Sequence, residues 1–200
     1  MTSDNDLMHR EKKAKIKEVK DRIYSSKTIE KGLIIVHTGN GKGKSTAAWG
    51  LVLRTLGHGR QVGIIQFIKG QRETGERRFL AQFPEIVRLR VMGEGFTWET
   101  QDRNRDIRAA RAAFEEAKTM LVDPNLHLLV LDELNIVLRY EYLPLAEVLE
   151  ALRNKRPDLH VVVTGRHAPP ELIAMADLVT EMTLIKHPFR EGVKAQLGIE

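Results

Sequence analysis

The chain has 200 residues, 42% of them hydrophobic and 30% charged, which is enough to bury a full core and too apolar to stay disordered. No apolar run approaches the ~20 residues of a membrane span, the charged first thirty residues hold no signal-peptide core, and the absence of cysteine removes disulfides, thiolate chemistry and cysteine-based metal sites. The formal net charge of +5 equals the excess carried by residues 10–31 alone, so the expectation is one cytoplasmic domain, 32–200, preceded by a basic helical arm, 1–31.

From Arg10 to about Ile23 the arm has helical spacing, with Ile16, Val19 and Ile23 on one face and lysines and arginines elsewhere. A frayed terminus and a lid or partner contact both fit that pattern. From Gly32 onward short apolar runs alternate with helical segments. Leu33–His37 is a β-branched run closed by Thr38-Gly39-Asn40-Gly41, and a helix is expected from Lys44 to Leu56. Gln61–Phe67 and Val87–Met92 are strand candidates. Ile107, Ala110, Phe114, Ala117 and Leu121 recur at helical spacing and mark a core-packed helix. Leu126–Leu131 is a continuous apolar strand ending in Asp132-Glu133. Pro144 opens a helix carrying Leu145, Val148, Leu149 and Leu152. His160–Val163 is the next strand, closed by Thr164-Gly165-Arg166, and Asp177–Ile185 is the last. Strands apolar on both faces that alternate with helices predict an α/β domain, a mostly parallel central sheet with helices on both faces.

The stretch Thr38-Gly39-Asn40-Gly41-Lys42-Gly43-Lys44-Ser45-Thr46 sits between a strand and a helix, the context a phosphate-binding P-loop requires. Its glycines let the backbone turn with N–H groups facing inward, and the following helix adds its positive end. Lys44 supplies a point charge to phosphate oxygens, and the Ser45 hydroxyl is placed to ligate magnesium. Thr38 stands where the usual pattern has glycine, which is tolerable only if that residue does not need a positive φ. The fold expectation sharpens to the P-loop NTPase (RecA-like) class. Asp132 and Glu133, at the end of an apolar strand, are the natural second half of the site, since a carboxylate there holds the metal directly or through water. Which of the two reaches the metal stays open. These residues predict ATP or GTP bound with a divalent cation, and a motor-type ATPase is one reading of them.

Phe96 and Trp98, in the glycine-broken loop Gly93–Thr100, offer either a core plug or a flat apolar wall for a large planar ligand. At this point the chain resembles the P-loop type of ATP:corrinoid adenosyltransferase. The resemblance is carried by T-G-N-G-K-G-K-S-T at 38–46, V-G-I-I-Q-F-I-K-G at 62–70, G-E-R at 75–77, G-F-T-W-E-T at 95–100 and L-D-E-L at 131–134. In the C-terminal part it continues through V-T-G-R-H-A-P-P-E-L at 163–172, A-D-L-V-T-E-M at 176–182 and K-H-P-F-R-E-G-V-K-A-Q-L-G-I-E at 186–200. It runs colinearly over about residues 32–200. Two small departures are Ser45, where threonine is also common, and His167, where a small residue is frequent.

The resemblance implies that cobalt(I) of a reduced corrinoid attacks the 5′-carbon of ATP and that triphosphate leaves. The P-loop, Lys44 and magnesium (or manganese, equally suited to hard oxygen ligands) then stabilise the leaving group, with Glu133 serving the metal or nucleotide. Phe96 and Trp98 are implied to lie against the lower face of the corrin ring, with Arg166, Lys186 and Lys194 as contacts to phosphates or corrin side chains. A separate flavoprotein electron donor and a homodimer are also implied, with no membrane and no nucleic acid. The competing reading is a small P-loop ATPase acting on nucleic acid, with Phe96 and Trp98 stacking on bases and residues 10–31 on phosphates. A nucleotide-binding switch without turnover is a third.

Overall fold

The computed structural model describes residues 4–68, 74–91 and 102–199. The chain divides into two compact units, residues 1–31 and 32–200. The first is the helix α1 (Asp4–Ser25), longer at both ends than the sequence spacing suggests, with an Arg22–Glu18 ion pair one turn apart at 3.3 Å.

Among the described residues the second unit is built on six strands, β1 (Ile34–Thr38), β2 (Gln61–Gln66), β3 (Val87–Val91), β4 (Leu126–Asp132), β5 (His160–Thr164) and β6 (Leu178–Glu181). Their spatial order is β3-β2-β4-β5-β1-β6, and every neighbouring pair is parallel. The α-helices of this unit among the described residues are α2 (Lys44–Gly57), α3 (Gly75–Leu80), α4 (Arg103–Leu121), α5 (Leu134–Arg139), α6 (Leu145–Arg153) and α7 (Pro170–Met175).

Alternation along the strands divides the core into two layers. Ile34, Val36, Ile65, Leu129, Leu131, Val161 and Val163 pack on the side of Phe114 from α4, Leu134 and Val137 from α5, and Val148 and Leu152 from α6. Ile35, Val62, Ile64, Val130 and Val162 pack on the other side, against Ala48, Trp49 and Val52 of α2. Phe114 is 1% exposed, and truncating such a side chain to alanine costs about 3–5 kcal/mol. The P-loop strand β1 and the acidic strand β4 are separated by β5.

Two departures from the sequence expectation matter to the site. The last strand ends at Glu181 and not at Ile185, because Met182 turns onto the P-loop: its N–H donates to Thr38 O at 2.9 Å and its carbonyl accepts from Gly41 N–H at 2.6 Å. The short helices α3, α5 and α7 were not foreseen, since one or two turns give too few positions for a helical period to register.

Candidate functional site

The P-loop leaves β1 at Thr38 and enters α2 at Lys44. Thr38 is not among the positive-φ residues, which removes the objection to threonine at this position, and its Oγ1 accepts from Ala168 N–H at 3.1 Å. The left-handed positions fall instead on Gly39 (φ 92°) and Gly43 (φ 105°). Gly39 and Gly41 serve close approach as well, because a Cβ on either would lie 2.4 and 2.7 Å from Met182 O. The Gly41 N–H is spent on the Met182 carbonyl. Asn40, Lys42 and Thr46 are exposed, Gly43 and Ser45 half-buried.

Lys44 is 7% exposed, and its Nζ donates to Gly41 O at 2.5 Å. Burial pushes its ammonium pKa down from the ordinary lysine value; the Glu133 carboxylate opposes that shift, while Arg166 and Lys42 reinforce it. An anion placed among these cations restores the favourable balance around Lys44.

The end of β4 meets the start of α2. Ser45 Oγ donates to Asp132 Oδ1 at 2.7 Å, Thr164 Oγ1 donates to the same oxygen at 2.7 Å, and Gln66 Nε2 donates to Asp132 Oδ2 at 3.0 Å. Arg77 Nε then donates to Gln66 Oε1 at 2.8 Å. This polar row follows from the strand period. Ile64, Val130, Val162 and Ile35 all face α2, so Gln66, Asp132, Thr164 and His37, two residues further along each strand, face it too. Four strand ends thus present a polar side chain on the same level, each no more than 6% exposed. His37 differs from the rest: neither ring nitrogen has a hydrogen-bond partner, and burial lowers its pKa.

Glu133 takes a left-handed backbone (φ 64°), the only such residue between β4 and α5. The turn is held by Glu133 N–H on Thr164 Oγ1 at 3.0 Å and by Asn135 Nδ2 on Gly165 O at 2.9 Å. Glu133 Oε2 lies 3.2 Å from where a Cβ on Gly165 would sit, so its carboxylate rests over the end of β5 and acts on Lys44.

Arg166 lines an open cavity of about 470 Å³ with Asn40, Glu181, Thr183, Leu184 and Arg190, next to the P-loop. His167 adopts φ 58°, which gives a physical reason why a small residue suits that position. Lys186 pairs with Glu191 at 3.0 Å and is turned to solvent, and Lys194 is exposed. Phe96 and Trp98 lie outside the described residues.

Among the described residues no cluster of three or more His, Asp or Glu can hold a metal by itself. The Ser45 hydroxyl and the Asp132 carboxylate, which meet at 2.7 Å, are hard oxygens, the donor type that suits magnesium. Gln66, Arg77, Thr164, Asn135 and Met182 were not singled out as site residues from the sequence. A signal for the first existed: Gln66 interrupts an apolar run two residues after Ile64, at the same level as Asp132.

Residues 30–200 match the protein family described as ATP:corrinoid adenosyltransferase BtuR/CobO/CobP. The chain is 53% identical over 197 residues to the corrinoid adenosyltransferase of Pseudomonas aeruginosa, covering 98% of this chain and 97% of that protein. It is 51% identical to the corrinoid adenosyltransferase of a Sinorhizobium species, over 98% of this chain and 92% of the other. It is 44% identical to that of Escherichia coli K12, over 98% and 99%.

Proposed function

The chain belongs to the ATP:corrinoid adenosyltransferase family, and from that membership we infer that it transfers the 5′-deoxyadenosyl group of ATP to the cobalt of a corrinoid, within cobalamin biosynthesis. The observation that carries the ATP half is the joined pair Ser45–Asp132 beside the buried Lys44, at the mouth of a P-loop.

In chemical terms, a cobalt(I) centre donates its electron pair to the 5′-carbon, the 5′-carbon–oxygen bond breaks, and that bonding pair leaves with the triphosphate. No general base is required, because cobalt(I) is itself the nucleophile. The P-loop then acts on the leaving group and not on a transferred phosphoryl: Lys44 and the backbone N–H groups of the loop stabilise the growing charge of the departing chain. When bound, magnesium or manganese supplies further charge neutralisation, held by Ser45 with Asp132 and Glu133 beside it. Glu133, aimed across Gly165 toward Lys44, keeps the ammonium in place against its burial.

Arg166 belongs at the phosphate or corrin edge of the open cavity. Phe96 and Trp98 form the apolar wall under the corrin ring, where exclusion of a lower axial ligand makes cobalt easier to reduce. A flavoprotein supplies the electron, and the enzyme works in the cytoplasm as a homodimer. No helix among the described residues is long and apolar enough to cross a membrane.

The test is anaerobic incubation with ATP, magnesium and chemically reduced cob(I)alamin in dim light. A light-sensitive alkylcobalt spectrum with intact triphosphate is expected, and Phe96→Ala or Trp98→Ala is expected to reduce its yield. An unchanged corrinoid with ADP and phosphate as products overturns the reading in favour of a hydrolase.

A further inference from the structure

Asp132 is 1% exposed and Gln66 is 1% exposed, yet the pair sits where the sheet could have continued its apolar alternation. A buried primary amide is costly unless its oxygen and nitrogen both find partners. Here each end has one. Arg77 Nε can only donate, so it selects Gln66 Oε1; the Asp132 carboxylate accepts, so it selects Gln66 Nε2. With the amide turned over, a carbonyl would face a carboxylate and an NH₂ would face a guanidinium, both repulsive. Arg77 thereby sets the direction of the amide, and the amide holds Oδ2 of Asp132.

That leaves Oδ1 as the oxygen toward Ser45, at 2.7 Å. We propose that Gln66 and Arg77 are positioning residues for this site, a two-step relay from α3 through β2 that fixes the Asp132 carboxylate for the metal-bound triphosphate. The relay rests on the reading that Ser45 and Asp132 hold a divalent cation with ATP. Arg77 also brings a positive charge to within two hydrogen bonds of the buried Asp132 carboxylate, which offsets part of the cost of its desolvation. The helix that bears Arg77 is positioned for this: Thr74 caps it, its Oγ1 accepting from Arg77 N–H at 3.4 Å.

Outer groups of this kind are worth about 10–100-fold in metal affinity or activity when removed. The experiment measures ATP affinity of the full chain with and without magnesium, and Mn²⁺ binding by electron paramagnetic resonance, for Gln66→Met, Arg77→Met and the double variant. Methionine keeps the volume of either side chain and removes its hydrogen bonds. Arg77 is only half-buried, so its variant retains the fold even if Gln66→Met does not.

The expected result is metal-free ATP affinity within about twofold of the parent, and a magnesium-dependent gain in affinity cut about tenfold or more in each single variant. The double variant should be no worse than the more damaged single one, because the two side chains act in series. A magnesium gain that survives in both singles overturns the relay. So do losses that multiply in the double variant, or a parent whose ATP affinity ignores magnesium. Binding is read without corrinoid, so a parent that binds magnesium-ATP but alkylates no cobalt sinks the functional reading and leaves the relay standing.

Discussion

Ser45 Oγ and Asp132 Oδ1 are 2.7 Å apart, a hydrogen bond that ties the first turn of α2 to the last residue of β4 across 87 positions of sequence. Lys44 is the neighbour of that contact, and the proposed mechanism sets its ammonium on the leaving triphosphate. Lys44→Ala is expected to lower adenosyl transfer by about 10²–10³, the usual cost of losing one charge-stabilising donor. The fold should persist, since the side chain's bond is a local one to Gly41 O and alanine suits a helix start. Turnover with cob(I)alamin and a circular dichroism melt test the two halves; a variant that keeps parental turnover removes Lys44 from the mechanism.

Glu133 bears a left-handed backbone that costs a non-glycine residue about 1–2 kcal/mol. Replacement by glycine and by alanine both remove the carboxylate, but only glycine relieves the strain. Glu133→Gly should therefore be more stable than Glu133→Ala by about 1 kcal/mol, while both lose turnover. Equal stability of the two, measured by urea unfolding, contradicts a strained turn at this position.

Gly39 combines φ 92° with a Met182 carbonyl 2.4 Å from the site of a Cβ. Gly39→Ala is expected to lose roughly 2–4 kcal/mol and to weaken ATP binding, because Met182 and the loop must move apart. Gly50, within α2 and with open space around it, is the control: Gly50→Ala should stabilise by about 1 kcal/mol. Thermal melts of the two variants should thus shift in opposite directions.

His37 lies 6% exposed beside Thr164 with both ring nitrogens unpaired, and burial lowers its pKa below the ordinary 6.5. The unfolded chain then binds a proton that the folded chain resists. Stability from this residue is complete above about pH 6.5 and is lost as the pH falls toward the lowered folded value. His37→Phe should flatten the stability profile on the acid side and raise stability at pH 7 by on the order of 1 kcal/mol, since an unsatisfied polar group leaves the interior. An acid limb as steep in the variant as in the parent would show that other groups carry it; His160, its pKa also lowered by burial with His127 and Lys155 nearby, is the first to test.

Much of this architecture was legible because its signals are long or chemically distinctive. The run from Thr38 to Thr46 announced phosphate chemistry, and Leu126–Leu131 followed by Asp132-Glu133 announced the opposing strand end. The periodic segment 107–121 became α4, extended to Arg103 because Asp102 caps it, accepting from Arg105 N–H at 3.1 Å. What stayed hidden depends on register between strands distant in sequence. Gln66 and Thr164 look like strand punctuation until β2, β4 and β5 are laid side by side. Met182 reads as part of a longer strand, because nothing local reveals that its carbonyl is taken by Gly41.

The sheet order carries a consequence for how the protein is made. β1, which leads into the P-loop, has β5 and β6 as its neighbours, and the Leu33 N–H meets His160 Nδ1 127 positions further along. As the chain leaves the ribosome, the strand that leads into the P-loop waits, apolar and unpaired, until the segment 127 positions further along has been synthesised. Contacts so distant slow folding and prolong exposure to aggregation. An amino-terminal fragment that stops short of β5 lacks both the strand that joins β1 to β4 and the Thr164 hydroxyl on Asp132.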